Sequence, residues 1–129
     1  MNQWAAVAAV AAGGAIGSVL RFLIGTASLQ WLGPGFPWGT FAINVSGSFV
    51  IGLVLQLAET RVGLPPYVRL FVATGILGGY TTFSTFAYET YLLSRDALNA
   101  QSLWYGLGSV VAGVAAVLLG ILLARVVFS

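Results

Sequence analysis

Residues 75–90, "GILGGYTTFSTFAYET", lie inside a long apolar stretch, yet they carry adjacent glycines at 78 and 79, a run of threonines and serines, Phe83 and Phe86 three apart, and Glu89. Two glycines followed by the β-branched Thr81 and Thr82 make a poor stretch for continuous helix. A break is therefore expected within "GGYTT", residues 78–82, near the middle of a membrane span. Backbone freed from a helix at that depth is tolerated only where it is buried in protein or faces a cavity. There it presents carbonyls at the end of one half-helix and amides at the start of the next, the first favouring cations and the second anions. Two readings fit, a plain kink at a helix crossing and an ion site. Phe83 and Phe86 share one helix face, a spacing that serves ordinary apolar bulk. Aromatic rings also have a negative face and a positive edge, so two rings presented edge-on beside hydroxyl donors suit a small anion and repel a cation.

The rest of the chain sets the medium. Its 129 residues are 59% hydrophobic and 6% charged, against about 25% charged in a soluble domain, so the chain reads as an integral membrane protein embedded in a lipid bilayer. Five arginines, no lysine and no histidine face three acidic residues, a net charge of +2. These charges are too few and too scattered for a nucleic-acid surface. Cysteine is absent as well, which excludes disulfides and, with histidine missing, leaves no ordinary ligand set for a transition metal. No nucleotide-binding motif or nucleophile–base pair appears, so no enzyme is expected.

A span needs about 20 mostly apolar residues, and four windows qualify, roughly 4–30, 38–58, 67–93 and 101–127. The expected fold is all-α, a single four-helix transmembrane domain over 1–129 with its third helix broken. The connections "WLGPGFPWG", "ETRVGLPP" and "SRDALNAQ" are rich in helix breakers or charge and too short to be domains. The opening "MNQWAAVAAVAAGGAIG" lacks a positive n-region and has no evident cleavage boundary, so it is read as the first span, retained in the mature protein. No internal repeat is visible, so any two-fold symmetry must come from a second chain.

Helical periodicity sorts the small and polar residues onto faces. Gly13, Gly17, Arg21 and Gly25 recur four apart, with Gly14 and Ser18 alongside, a seam along which another backbone can approach closely. Thr40, Asn44 and Ser48 form a polar stripe on the second span, with Gly47 and Gly52 near it. Ser102, Tyr105, Ser109, Gly113 and Ala116 form another on the fourth. Hydroxyls in such stripes commonly bond their own backbone or glue helices together. Asn44 is sharper, because an amide in hydrocarbon must find partners. Arg21 reads either as an anchor snorkelling from a helix end or as a partner-facing residue. Glu89 either faces a water-filled vestibule or pairs with an arginine.

Three segments, "GGAIGSVLRF", "WGTFAINVSGSFVIG" and "TGILGGYTTFSTFAYE", together resemble the Fluc (CrcB) family of small bacterial fluoride channels. The resemblance covers nearly the whole chain and is weakest in the fourth span. It implies a dual-topology homodimer of antiparallel subunits in the bacterial inner membrane, with two fluoride pores at the interface and a central structural Na⁺. By matching position, Asn44 is implied as the pore-lining amide and Phe83 and Phe86 as the rings whose edges contact fluoride. Thr40, Tyr105 and Ser109 are implied as members of a polar track. The backbone carbonyls of Gly78 and Thr81 are implied as Na⁺ ligands, Arg21 as the arginine ending the first helix, and Glu89 as a neighbour of the track. Gly113 departs from the pattern, standing where a further hydroxyl would be sought.

The function expected from this resemblance is passive, fluoride-selective export from the cytoplasm. Two alternatives stand beside it. A small proton-coupled exporter would want a titratable acid in a central cavity, and the first two spans hold none before Glu59. A non-transporting membrane subunit would explain the spans but not the clustered hydroxyls, Asn44 and the break. Orientation is expected to be mixed. With four spans, Arg61, Arg69 and Arg125 lie toward one side and Arg21 and Arg95 toward the other, an excess too small to bias insertion.

Overall fold

The computed structural model describes residues 2–60, 63–95 and 99–128. Arg61, counted above toward one side of the membrane, lies outside the described residues. Four helical segments are long and apolar enough to cross a membrane, Gln3–Leu32, Trp38–Glu59, Pro66–Ser94 and Ala100–Phe128, each extending slightly beyond its expected window.

Local chemistry sets their ends. The first helix, α1 (Gln3–Leu32), starts where the Asn2 side chain accepts the Trp4 N–H at 3.0 Å. It stops at Gly33, whose φ of 74° only glycine adopts readily, with Pro34 next in line. Nothing in "GTASLQWL" breaks the helix earlier. Arg21 therefore lies well inside α1 and not at its end, which corrects the expectation of a terminal anchor. Helix α2 (Trp38–Glu59) ends at Thr60, whose N–H and hydroxyl both donate to the Leu57 carbonyl.

The third span is built in pieces. A turn of helix, α3 (Pro66–Arg69), leads into a π-helical segment, Leu70–Leu77, that the sequence did not announce, and then into α4 (Gly78–Tyr80). Thr81 and Thr82 are extended, with ψ values of 157° and 117°, before α5 (Phe83–Ser94) resumes. The break thus falls after the double glycine. Gly78 and Gly79 remain helical, and the β-branched pair takes the extended conformation that such residues favour. The last helix, α6 (Ala100–Phe128), opens with a reciprocal cap: Ser102 N–H donates to Asn99 Oδ1 at 2.9 Å and Asn99 N–H to Ser102 Oγ at 3.3 Å. Ser102 therefore leaves the hydroxyl stripe and serves as a helix start.

Glycine decides how the helices pair. A Cβ at Gly13 would strike the Phe71 carbonyl and lie 2.9 Å from Gly75 Cα, and one at Gly17 would strike the Ile76 carbonyl. From the other side, a Cβ on Gly79 would come within 3.1 Å of Gly14 Cα. Residues 71–80 thus lie backbone to backbone on α1. Helices α2 and α6 meet in the same way, Gly52 against the Val117 carbonyl and Gly120 against the Phe49 carbonyl. Lipid supplies no hydrophobic drive between helices, so association rests on this close van der Waals fit. The fully buried large side chains are only Tyr105 and Ile43 among the described residues. The outer faces are apolar and broadly exposed, with Trp31 at 84% and Phe22 at 69%, as a surface in contact with lipid requires.

Gly17→Ala should destabilise the fold by about 2 kcal/mol or more, because the methyl meets carbonyl backbone that cannot rotate aside. Gly25→Ala, where nothing lies within 4 Å, should be neutral or stabilising by up to ~1 kcal/mol through helix propensity. Denaturation in detergent, followed by circular dichroism, compares the two.

Candidate functional site

The two glycine-welded pairs meet along a polar junction at the break. Asn44, on the polar stripe of α2, bonds both backbone groups of Thr82: its Nδ2 donates to the Thr82 carbonyl at 3.0 Å, and its Oδ1 accepts the Thr82 N–H at 2.8 Å. The side-chain amide thus pairs with the extended strand of the break as a peptide would. One Nδ2 hydrogen remains for another acceptor. The Thr82 hydroxyl accepts the Thr85 N–H at 3.2 Å and caps α5. Gly47 has no room for a side chain here, since a Cβ would run into Thr81 Cγ2.

These bonds bear on the carbonyls named for Na⁺. In an unbroken helix the Gly78 carbonyl would accept from the Thr82 N–H and the Thr81 carbonyl from the Thr85 N–H. Both donors are committed elsewhere, to Asn44 Oδ1 and Thr82 Oγ. The Leu77 carbonyl, by contrast, receives both the N–H of Thr81 at 3.0 Å and its hydroxyl at 2.9 Å. Gly78 is exposed, with open space where a Cβ would stand. Uncharged, hard carbonyl oxygens of this kind fit a hard monovalent cation. Among the described residues no cluster of acidic, histidine or cysteine side chains competes as a metal site.

A cavity of about 400 Å³ opens beside the break, walled by Asn44, Ser48, Thr82, Phe83, Phe86 and Ser109. The Ser109 Oγ is buried and has no hydrogen-bond partner, which is costly unless something in the cavity supplies one. Phe83 and Phe86 stand 5.7 Å apart, centroid to centroid, with their planes at 53°. Phe86 in turn packs 5.3 Å from Tyr105, whereas Phe83 is 78% exposed. The fold therefore brings Asn44, Phe83, Phe86 and Ser109 onto one cavity.

Thr40 and Tyr105 go elsewhere. Thr40 Oγ1 donates to one oxygen of the Glu89 carboxylate at 2.9 Å, and the Tyr105 hydroxyl donates to the other at 2.6 Å. Their hydroxyls already serve an acceptor inside the protein. Glu89 and Arg21 both line a groove of about 490 Å³, together with Ser18, Thr40, Thr82 and Thr85. Thr82 faces both the groove and the cavity and joins them. Its role went unread in the sequence, although a threonine three residues before Thr85 at the start of a helix is a recognisable capping signal. Phe36 was also missed. It sits in the first connection with its ring edge-to-face against Tyr105 at 5.3 Å, a contact between residues too far apart in sequence for any local pattern to reveal.

Removing either donor leaves the Glu89 carboxylate short of a charge-assisted bond. Thr40→Val and Tyr105→Phe should each cost about 1.5–3 kcal/mol. Against a Glu89→Gln background the costs should shrink, because the residues form one network. A double-mutant cycle on unfolding free energy measures the coupling.

Comparison with known proteins finds matches over nearly the full chain. The family model described as CrcB-like protein, Camphor Resistance (CrcB), matches residues 8–121. The fluoride-specific ion channel FluC of Nitrobacter winogradskyi is 49% identical over 125 residues, covering 97% of this chain and 99% of that protein. The protein of the same name from Agrobacterium fabrum is 47% identical over 122 residues, covering 95% and 98%. A third, from Chloroflexus aurantiacus, is 46% identical over 119 residues, covering 92% and 94%. All three are named as ion channels and not as enzymes. With four membrane-capable helices, a broken third span and close relatives matched almost end to end, this chain belongs to the CrcB-like family.

Proposed function

We propose that the chain is a passive, fluoride-selective channel of a bacterial inner membrane that exports cytoplasmic fluoride. In this reading it acts as an antiparallel dual-topology homodimer with two pores at the interface and a central structural Na⁺. The observation that carries the reading is the buried, unpartnered Ser109 hydroxyl on the cavity shared by Asn44, Phe83 and Phe86. Together these provide a neutral hydroxyl donor, a spare amide hydrogen and two polarised ring edges, with no fixed positive charge to trap an anion. Such a site binds strongly enough for fluoride to enter and weakly enough for it to leave. The names of the relatives point to the same ion.

What one copy leaves undone supports the dimer. Phe83 is 78% exposed, and a ring that is to present its edge to an ion must be held there by protein. A second, inverted copy would cover it and duplicate the cavity, giving two pores. It would also bring a second set of Gly78 and Thr81 carbonyls to the break, and these residues would hold Na⁺. The bound cation would supply a fixed positive charge that ties the two breaks together. Export itself is driven by the membrane potential, about 2.3 kcal/mol per charge for 100 mV.

Liposomes containing only this protein, loaded with fluoride or chloride, should release fluoride rapidly and retain chloride. Phe83→Ile and Phe86→Ile should each lower fluoride flux by roughly tenfold, equivalent to about 1.4 kcal/mol, because isoleucine keeps the bulk but not the polarised edge. Flux should persist without a proton gradient and in Glu89→Gln. Strict dependence on a pH gradient, with Glu89→Gln inactive, would establish a proton-coupled exporter instead.

Mixed orientation has its own assay. C-terminal reporter fusions should place the terminus on both sides of the membrane, because arginines are nearly balanced between the two sides. Two or three lysines added to the second connection should force one orientation and abolish flux. Co-expression with an oppositely biased variant should restore it. A wild-type terminus on one side only would refute the antiparallel dimer.

A further inference from the structure

The cavity and the exposed Phe83 ring belong to the pathway already described, and the Arg21–Glu89 groove adjoins it through Thr82. The side chains that hold the break do something more. Asn44 Oδ1 takes the N–H that an unbroken helix would give to the Gly78 carbonyl, and Thr82 Oγ takes the one it would give to the Thr81 carbonyl. The two carbonyls named for the cation are thus the two whose helical donors a side chain has captured. The captors differ in kind: Asn44 reaches across from α2, while Thr82 acts within the span as the cap of α5.

We propose that Asn44 and Thr82 are positioning residues for the cation site, setting sodium affinity by holding these donors away from the Gly78 and Thr81 carbonyls. The inference rests on the sodium reading above. Neither side chain need touch the ion. If the acceptor at either position is lost, the freed N–H turns back toward the span's own carbonyls, and an oxygen engaged by an N–H is a poorer cation ligand. Asn44 then has two tasks in one side chain. Its Oδ1 and one Nδ2 hydrogen hold the break, and the other Nδ2 hydrogen remains on a residue that lines the cavity. The second stripe residue of α2 would in this way link the cation site to the anion path.

The test is sodium-dependent thermal stability of the purified full-length protein in detergent. NaCl is titrated against N-methylglucamine chloride at constant ionic strength, with dimer formation checked by size-exclusion chromatography. Wild type should melt at higher temperature as Na⁺ rises. Asn44→Leu and Thr82→Val should raise the half-saturating Na⁺ concentration by about tenfold or more, equivalent to about 1.4 kcal/mol. Thr82→Ser, which keeps the acceptor oxygen, should stay much closer to wild type. Should Asn44→Leu fail to assemble, the Thr82 pair, which leaves α2 untouched, decides the matter. Assembled Leu and Val variants responding at the wild-type Na⁺ concentration would overturn the inference and leave the sodium reading standing. A wild type with no Na⁺ response would overturn both.

Discussion

A helix cannot stop partway through a membrane unless something answers the backbone groups it abandons. Water is absent there, and each unsatisfied N–H or carbonyl costs several kcal/mol. In this chain the answer is one side chain, Asn44, which bonds the N–H and the carbonyl of Thr82 together. Everything distinctive about the site hangs on that pair. It lets Thr81 and Thr82 stay extended, restarts the helix under the Thr82 cap, and leaves carbonyls at the end of one half-span near the first turn of the next.

The pair forms only because the helices are pinned to within backbone contact. Gly13, Gly17 and Gly79 lay the first half of the third span on α1, and Gly52 and Gly120 lay α2 on α6. Each pair is closed by glycines, so polar side chains are spared for the junction between pairs. There Asn44 reaches the break, and Thr40 and Tyr105 reach Glu89. The small residues that read as a packing face and the polar residues that read as a functional stripe are two parts of one arrangement, the first setting the distance at which the second can bond.

The junction also separates charge from the cavity. Glu89 is the acidic side chain beside the proposed pathway, and its two oxygens are held by hydroxyls away from the cavity wall. The cavity itself keeps only neutral groups, among them a hydroxyl with no partner of its own. A small anion that must shed water on entry gains most from donors not already spent inside the protein. In this respect Ser109 differs from Thr40 and Tyr105, although all three lie on polar stripes.

The sequence by itself determined that the chain crosses a membrane four times, because length and hydropathy are local properties of each segment. It also determined which faces are small or polar, since helical geometry turns spacing into direction. The resemblance carried by its motifs named the family that the comparisons then showed. Other features were out of its reach. Within the expected "GGYTT" stretch the break lies at Thr81–Thr82 while the glycines stay helical, because Gly79 is needed flat against α1 and only packing reveals that. Arg21 lies inside α1 because no breaker precedes Gly33. Ser102 serves the start of α6 because Asn99, the cap, stands opposite it. Above all, spacing could mark Asn44, Thr40 and Tyr105 as polar but could not say that the first would hold Thr82 and the other two Glu89. Those partners lie on other helices, and only the close approach of glycine-lined backbones brings them within reach.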